Sequence, residues 1–152
     1  MADPPIRKPE LNLIFPSNPV AVRQALGSSL NGLRHLGLTV EERGVVEIVL
    51  AEVLNNIVEH AHADHENGVI ELKVNRAGED LIFKVVDDGV PFPGGDLPEG
   101  KPHNLDVQLQ DLPEGGFGWF MIKELTHQLS YLRDGTRNIL SFRIALEKTK
   151  IA

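Results

Sequence analysis

Residues 47–61 read EIVLAEVLNNIVEHA and predict one long amphipathic helix. A step of about 100° per residue separates its side chains into two faces. The apolar face contains Val46, Leu50, Val53, Leu54, Ile57 and Ala61. The polar face contains Glu52, Asn55, Asn56 and Glu59. This polar stripe is consistent either with a solvated helix face or with the wall of a functional site.

Within the polar stripe, Glu52 and Asn56 are one helical turn apart and share a face. A carboxylate can accept a proton, and an amide oxygen can ligate a hard cation. The pair therefore suits chemistry on a magnesium-bound phosphate. Both interpretations of the stripe stay open from this stretch alone.

The composition of the chain limits the classes of function. Of its 152 residues, 41% are hydrophobic and 24% are charged, which is typical of one globular domain with a buried core. The net charge of −7 argues against binding along nucleic acid phosphates or on an anionic membrane. Because the sequence has no cysteine, it offers no disulfide, thiolate nucleophile or zinc–cysteine site. Neither a signal-peptide pattern nor a membrane-spanning run is present, so we expect a cytoplasmic protein.

The order of the predicted elements indicates a two-layer α/β (α+β) sandwich. Residues 1–10 read as a flexible lead-in, and residues 11–148 as a single domain. The predicted elements are a strand at 11–15, a helix at 19–37, a helix at 39–63, a hairpin at 68–86, a helix from 115 and a hairpin at 128–144. This order predicts a mixed β-sheet covered on one face by about three helices.

Two more polar features lie at the ends of predicted elements. Asp87-Asp88-Gly89 follows a buried strand, where a carboxylate can bind the exocyclic amine of a base and glycine lets a ligand approach the backbone. Residues 115–118, GGFG, precede a helix, whose amides and dipole favour a polyphosphate. Each feature alone also fits an ordinary turn or helix start.

Taken together and in this order, the three features resemble the motif boxes of the GHKL ATPases. The matching segments are LAEVLNNIVEHA at 50–61, VDDGVP at 86–91 and GGFGWFMI at 115–122. The resemblance covers nearly the whole chain and implies the histidine-kinase-like ATPase fold. Among the branches of that superfamily, the chain is most similar to the single-domain anti-sigma serine/threonine kinases of bacterial partner-switching systems.

The resemblance assigns roles to the residues of the first two segments. It implies that Asn56 ligates Mg²⁺ on the phosphates of ATP and that Glu52 is the catalytic base. Asp87 would recognise the adenine amino group, and Gly89 would pass close to the nucleotide. The implied cofactors are therefore ATP and Mg²⁺.

The resemblance also implies a phosphate-binding turn and a lid. The phosphates would be held by Gly116, Phe117 and Gly118. Residues 90–114 would form the lid, and either Thr136 or Ser141 would supply the hydroxyl that touches the nucleotide from a late strand. The chain departs from the family at Glu114, where these kinases usually have a basic residue. This departure concerns phosphoryl transfer rather than ATP binding.

The function implied by the resemblance is that of a Mg-ATP-dependent protein serine/threonine kinase and anti-sigma regulator. Its partners would be a STAS-type anti-anti-sigma protein, which it phosphorylates, and a sigma factor. Nucleic acid and membrane are not expected as partners, and a homodimer through the first strand and helix is expected. Two alternatives stay open: an ATP-dependent interaction module without phosphoryl transfer, and a histidine-kinase-like ATPase domain acting on a separate partner.

Overall fold

A computed structural model of the chain describes residues 8–61, 67–92, 97 and 116–146. The elements in chain order are β1 Leu11–Pro16, α1 Pro19–Gly32, a 3₁₀ turn Arg34–Leu36, α2 Val40–Asn56, a π-helical turn Ile57–Ala61, β2 Val69–Ala77, β3 Asp80–Asp87, α3 Gly116–Leu125, β4 His127–Asp134 and β5 Arg137–Ala145. In these described ranges no helix is long and apolar enough to cross a membrane.

The described strands form one five-stranded sheet in the order β1-β2-β3-β5-β4. The two-layer α/β class is confirmed, but every neighbouring pair is antiparallel, so the prediction of a mixed sheet was wrong. The connection through α3 does bring β4 into the same direction as β3, because both strands pair antiparallel with β5. Since β5 lies between them, β3 and β4 are not neighbours in the sheet.

Side-chain caps start the first two helices where the sequence predicts them. The Asn18 side chain accepts a hydrogen bond from the backbone N–H of Ala21 at 2.7 Å. Thr39 and Glu42 form a capping box, in which each side chain accepts from the backbone N–H of the other residue. Helix α1 ends earlier than predicted, and the 3₁₀ turn then leads to Gly37 in a left-handed conformation.

The hydrophobic core lies between the helices and one face of the sheet. Alternate residues of the central strands point into it: Ile70, Leu72, Val74, Leu81, Phe83, Val85, Leu140, Phe142 and Ile144. Phe83 and Phe142 are opposite each other in the sheet and stack with ring centroids 5.0 Å apart. The same alternation carries Asp87 and Asn138, which also pair across β3 and β5, into the buried end of this face.

Several predictions concern residues outside the described ranges. They include most of the lead-in at residues 1–7, most of the lid at residues 93–96 and 98–114, and Glu114 itself. The predicted end of the second helix at Ala63 and the domain end at residue 148 lie outside them as well. These statements stay predictions.

Candidate functional site

The end of α2 contacts the first turn of α3. The segment that contains Glu52 and Asn56 therefore lies next to Gly118. A Cβ atom added to Gly118 would lie 2.5 Å from Oε2 of Glu52 and 3.7 Å from Nδ2 of Asn56. Any side chain at residue 118 would therefore displace the Glu52 carboxylate. Glycine at this position allows the helix start to approach the acid and the amide together.

Asn56 is buried, whereas its neighbours on the predicted polar face are not. Asn55 and Glu59 are exposed, but Asn56 is only 6% exposed because α3 packs over its side of the helix. Its Nδ2 atom has no hydrogen-bond partner among the described residues. An unpaired buried amide typically costs about 1–3 kcal/mol. Such a group is what a ligand-binding position leaves when the ligand is not part of the structure.

This site fits a magnesium–nucleotide complex better than a metal held by protein alone. In the part of the chain that the structure describes, no three histidine, aspartate or glutamate side chains converge on one point. Mg²⁺ usually keeps several waters and binds few protein ligands together with substrate phosphates. Rotation of the Asn56 amide would present its oxygen where the unpaired nitrogen now lies. Asn56 beside the half-buried Glu52 thus matches the donor set expected for Mg-ATP.

The first turn of α3 supplies the backbone groups that an anion needs. Gly116, Phe117 and Gly118 lie in this turn, where backbone N–H groups lack partners within the helix. The turn contains no acidic residue to oppose a phosphate. Polyphosphate binding at this helix start would place negative charge at the positive end of its dipole.

A π-helical turn after α2 contacts the segment Asp87-Asp88-Gly89, which is called the Asp87 motif below. Directly after Asn56 the helix continues as the π-helical turn Ile57–Ala61, a feature that is frequent at functional sites. The carbonyl of Ala61 accepts a hydrogen bond from the backbone N–H of Val90 at 3.0 Å. A Cβ added to Gly89 would lie 2.3 Å from the same carbonyl oxygen. Gly89 therefore lets the strand end pack against the helix backbone.

Asp87 is held by hydrogen bonds rather than exposed in a turn. It is 5% exposed, and its Oδ1 atom accepts from the backbone N–H of Gly89 at 2.9 Å and from Nδ2 of Asn138 at 2.8 Å. The first bond is local, and the second joins β3 to β5. The carboxylate is thus fixed between two elements at the buried end of the sheet.

Asn138, which donates a hydrogen bond to Asp87, is a candidate site residue that the sequence reasoning missed. The resemblance left Thr136 or Ser141 as the late-strand contact, but Thr136 is exposed in the turn before β5. Ser141 lies mid-strand opposite Lys84, on the sheet face that Asn138 does not share. The available signal was the alternation of β5, in which Asn138 takes an inward position otherwise filled by apolar residues.

The beginning of the predicted lid is anchored to both α3 and β4. The Phe92 ring makes edge-to-face contacts with Trp119, at a centroid distance of 5.4 Å, and with Tyr131, at 4.9 Å. The backbone N–H of Phe92 also donates to the Tyr131 hydroxyl at 3.2 Å. Phe92 lies shortly after the Asp87 motif, and Trp119 follows Gly118. This aromatic cluster therefore packs the segment after Asp87 against the first turn of α3.

Comparison with known proteins identifies the family of the chain. Residues 15–144 match the model of the histidine kinase-like ATPase domain family. Blue-light-activated histidine kinase 2 of Erythrobacter litoralis is 30% identical over 116 residues, which are 73% of this chain and 30% of that protein. Serine-protein kinase RsbW of Oceanobacillus iheyensis is 28% identical over 102 residues, which are 64% of this chain and 63% of that protein. The chain thus spans less than two thirds of the length of either relative.

Solved structures share the fold. A structure of the RsbU and RsbW domains of Rv1364c from Mycobacterium tuberculosis superposes with a TM-score of 0.60 at 14% identity, covering 90% of this chain and 31% of that one. The histidine kinase domain of Erythrobacter litoralis EL346 gives a TM-score of 0.50 at 25% identity, covering 82% of this chain and 61% of that one. The family model extends over most of the sequence and includes all three motifs. The chain therefore belongs to the histidine kinase-like ATPase domain family.

Proposed function

We propose that this chain binds Mg-ATP where α2, the Asp87 motif and the first turn of α3 meet. We further propose that it transfers the γ-phosphoryl group to a serine or threonine of a STAS-type anti-anti-sigma protein, as part of an anti-sigma switch. The observation that carries the proposal is the contact of Gly118 with Glu52 and Asn56, where the buried Nδ2 atom of Asn56 lacks a partner among the described residues.

Each part of the nucleotide has a counterpart among these residues. The Asn56 amide is suited to hold Mg²⁺, which neutralises phosphate charge when bound. The N–H groups at the start of α3 suit the phosphates, and Asp87 suits the exocyclic amine of adenine. The proposed roles therefore rest on the chemistry of each group.

The position of Glu52 favours a role in proton transfer. Its carboxylate lies against Gly118, at the helix start proposed to hold the phosphates. In the proposed step the acceptor hydroxyl oxygen bonds to the γ-phosphorus, the bond from that phosphorus to the bridging oxygen breaks, and ADP leaves. Glu52 takes the hydroxyl proton. The similarity to proteins named serine-protein kinase RsbW supports a hydroxyl acceptor.

Phosphorylation of a histidine on a separate protein is the second candidate function. It is favoured by the 30% identity to blue-light-activated histidine kinase 2 of Erythrobacter litoralis. The two reactions give chemically different products, because phosphoserine and phosphothreonine withstand acid whereas phosphohistidine is hydrolysed by it. An interaction module would bind ATP and give neither product.

The decisive experiment incubates the purified chain with γ-labelled ATP, Mg²⁺ and STAS-domain proteins from the same genome. Acid-stable label on a partner, absent without the chain, would establish the proposed kinase. Acid-labile label would favour transfer to histidine. Tight ATP binding with no label on any partner would favour the interaction module.

Asn56→Ala is expected to lower Mg-ATP affinity by about 10-fold or more, since a ligand contact to a charged group is worth about 1.5–3 kcal/mol. The stability of the ATP-free protein should not fall, because the substitution removes a buried Nδ2 atom that has no hydrogen-bond partner in the described part of the chain. Calorimetric titration and thermal unfolding measure the two effects. The matched control is Asn55→Ala, which changes the exposed neighbour. Full ATP affinity in Asn56→Ala would contradict the assigned role.

The fluorescence of Trp119 should report nucleotide binding directly. It is the one tryptophan of the sequence, it is 2% exposed, and it lies beside Gly118 and against Phe92. We expect its emission to change saturably as Mg-ATP is added, because the phosphates would bind one residue away. Asn56→Ala at the same ATP concentrations serves as the control. A constant emission spectrum while calorimetry detects binding would show that the phosphates bind elsewhere.

A further inference from the structure

The side chain of Asn138 has an unusual number of partners for a buried amide. Besides Asp87, its Nδ2 atom lies within hydrogen-bond distance of the carbonyl oxygens of Gly89, at 3.2 Å, and Val90, at 3.0 Å. Its Oδ1 atom accepts from the Tyr131 hydroxyl at 2.5 Å and from Nη1 of Arg133 at 3.1 Å. The residue itself is 4% exposed.

These contacts fix which way the amide points. One end of it faces three acceptors, and the other end faces two donors. The reverse orientation would set the oxygen against a carboxylate and two carbonyls, and the NH₂ group against a guanidinium. Since both ends are engaged by protein, Asn138 has no free hydrogen-bonding group with which to bind a nucleotide itself.

We infer that Asn138 is a positioning residue, which orients the Asp87 carboxylate and the Gly89–Val90 backbone for recognition of the adenine amino group. This inference rests on the proposed function. The local bond from Gly89 to Asp87 is the kind that any Asp-x-Gly turn makes. The bond from Asn138 comes from another strand and therefore ties the carboxylate to the sheet.

Arg133 and Tyr131 complete this positioning cluster. Nη1 of Arg133 donates to the Gly89 carbonyl at 2.6 Å as well as to Asn138, so one guanidinium holds both the backbone and the amide. Tyr131 donates to Asn138 and accepts from the Phe92 N–H, which continues the network to the start of the predicted lid. A guanidinium at the oxygen end of an amide polarises the NH₂ group toward the carboxylate. Asn138 is thus held in place by two residues of β4 and in turn holds the Asp87 carboxylate.

The test compares binding of ATP and inosine triphosphate, which has a carbonyl in place of the exocyclic amine. In Asn138→Asp the side chain keeps its shape and its acceptor for Tyr131 and Arg133, but it places a second carboxylate against Asp87. We expect about a 10-fold or larger loss of ATP affinity and a much smaller loss for inosine triphosphate. The ratio of the affinity for ATP to the affinity for inosine triphosphate, which we call the ATP preference, should therefore fall by about the same factor as the ATP affinity.

Two further variants keep the inference testable if Asn138→Asp unfolds. Tyr131→Phe removes one hydroxyl, and we expect it to narrow the ATP preference by a few-fold. Asn138→Ala made in an Asp87→Asn background should have little further effect on that preference, because residues that act through one another are not additive. Ser130→Ala, an exposed residue of β4, is the control and should leave the preference unchanged.

The outcomes separate this inference from the proposed function. Equal losses for both nucleotides in folded Asn138 variants, or no change in preference, would overturn the positioning role while leaving ATP binding intact. Additive effects of the Asn138 and Asp87 substitutions would also overturn it. Failure of the unsubstituted chain to bind Mg-ATP would overturn the proposed function, and the inference with it.

Discussion

Gly89→Ala is expected to destabilise the protein by about 2–4 kcal/mol and to abolish measurable Mg-ATP binding. The new Cβ would lie 2.3 Å from the carbonyl oxygen of Ala61 and 2.6 Å from its carbonyl carbon. Overpacking of this kind costs about 1–3 kcal/mol, and loss of the Val90 to Ala61 hydrogen bond adds about 1 kcal/mol. Because the obstacle is backbone, no side-chain rotation relieves it, and the Asp87-Asp88-Gly89 segment must move away from the π-helical turn Ile57–Ala61.

Thermal unfolding and ATP titration of Gly89→Ala measure these two effects. For a domain of this size, each kcal/mol shifts Tm by about 2–4 °C. The matched control is Gly44→Ala within α2, where no atom lies within 4 Å of the added Cβ. Alanine should stabilise that helix position by about 0.5–1 kcal/mol. A Gly89→Ala protein that melts at or above the original temperature would contradict the close approach of the two backbones.

The features that the sequence predicted well depend on neighbouring residues. The predicted starts of α1 and α2 coincide with the caps that the structure shows at Asn18 and at Thr39–Glu42, whose hydrogen bonds span three residues. The hairpins follow from alternation and from turns at Gly78 and Gly135, both of which have positive φ angles. In each case the information lies within one turn of helix or one hairpin.

The features that the sequence did not predict depend on distant parts of the chain. The insertion of β5 between β3 and β4 made the sheet antiparallel, and no local pattern specifies that insertion. The burial of Asn56 requires α3, which lies some sixty residues further along the sequence. A helical wheel built on α2 alone therefore groups Asn56 with the exposed Asn55.

In the candidate site, too, local features could be predicted from the sequence and long-range contacts could not. The three motifs were identified from their sequence, and the structure places Glu52 and Asn56 against Gly118 and joins Gly89 to Ala61. That these residues bind Mg-ATP stays a prediction. The contribution of Asn138 is visible only after β3 and β5 are paired, because its bond to Asp87 joins residues 51 positions apart.

Glu52→Gln is expected to lower phosphoryl transfer by about 10²–10⁴-fold, the range for loss of a general base. Glutamine has nearly the same shape as glutamate, so the contact with Gly118 is preserved, but its amide cannot take the proton of the acceptor hydroxyl. Mg-ATP affinity should be retained or increase, because a negative charge beside the proposed phosphate site is removed. Transfer and binding would thereby be separated in one variant.

Single-turnover transfer of γ-labelled phosphate to a STAS-domain acceptor, with saturating Mg-ATP, measures this effect without interference from product release. Glu59→Gln is the matched control, since it removes the same charge from an exposed position seven residues further along the chain. If both variants lower the rate of phosphoryl transfer equally, the loss comes from the change in net charge and not from the removal of a base. If Glu52→Gln transfers phosphate at a rate within a few-fold of the original, Glu52 is not the base. Its contact with Gly118 would then serve to position α3, and the proton would leave the acceptor by another route.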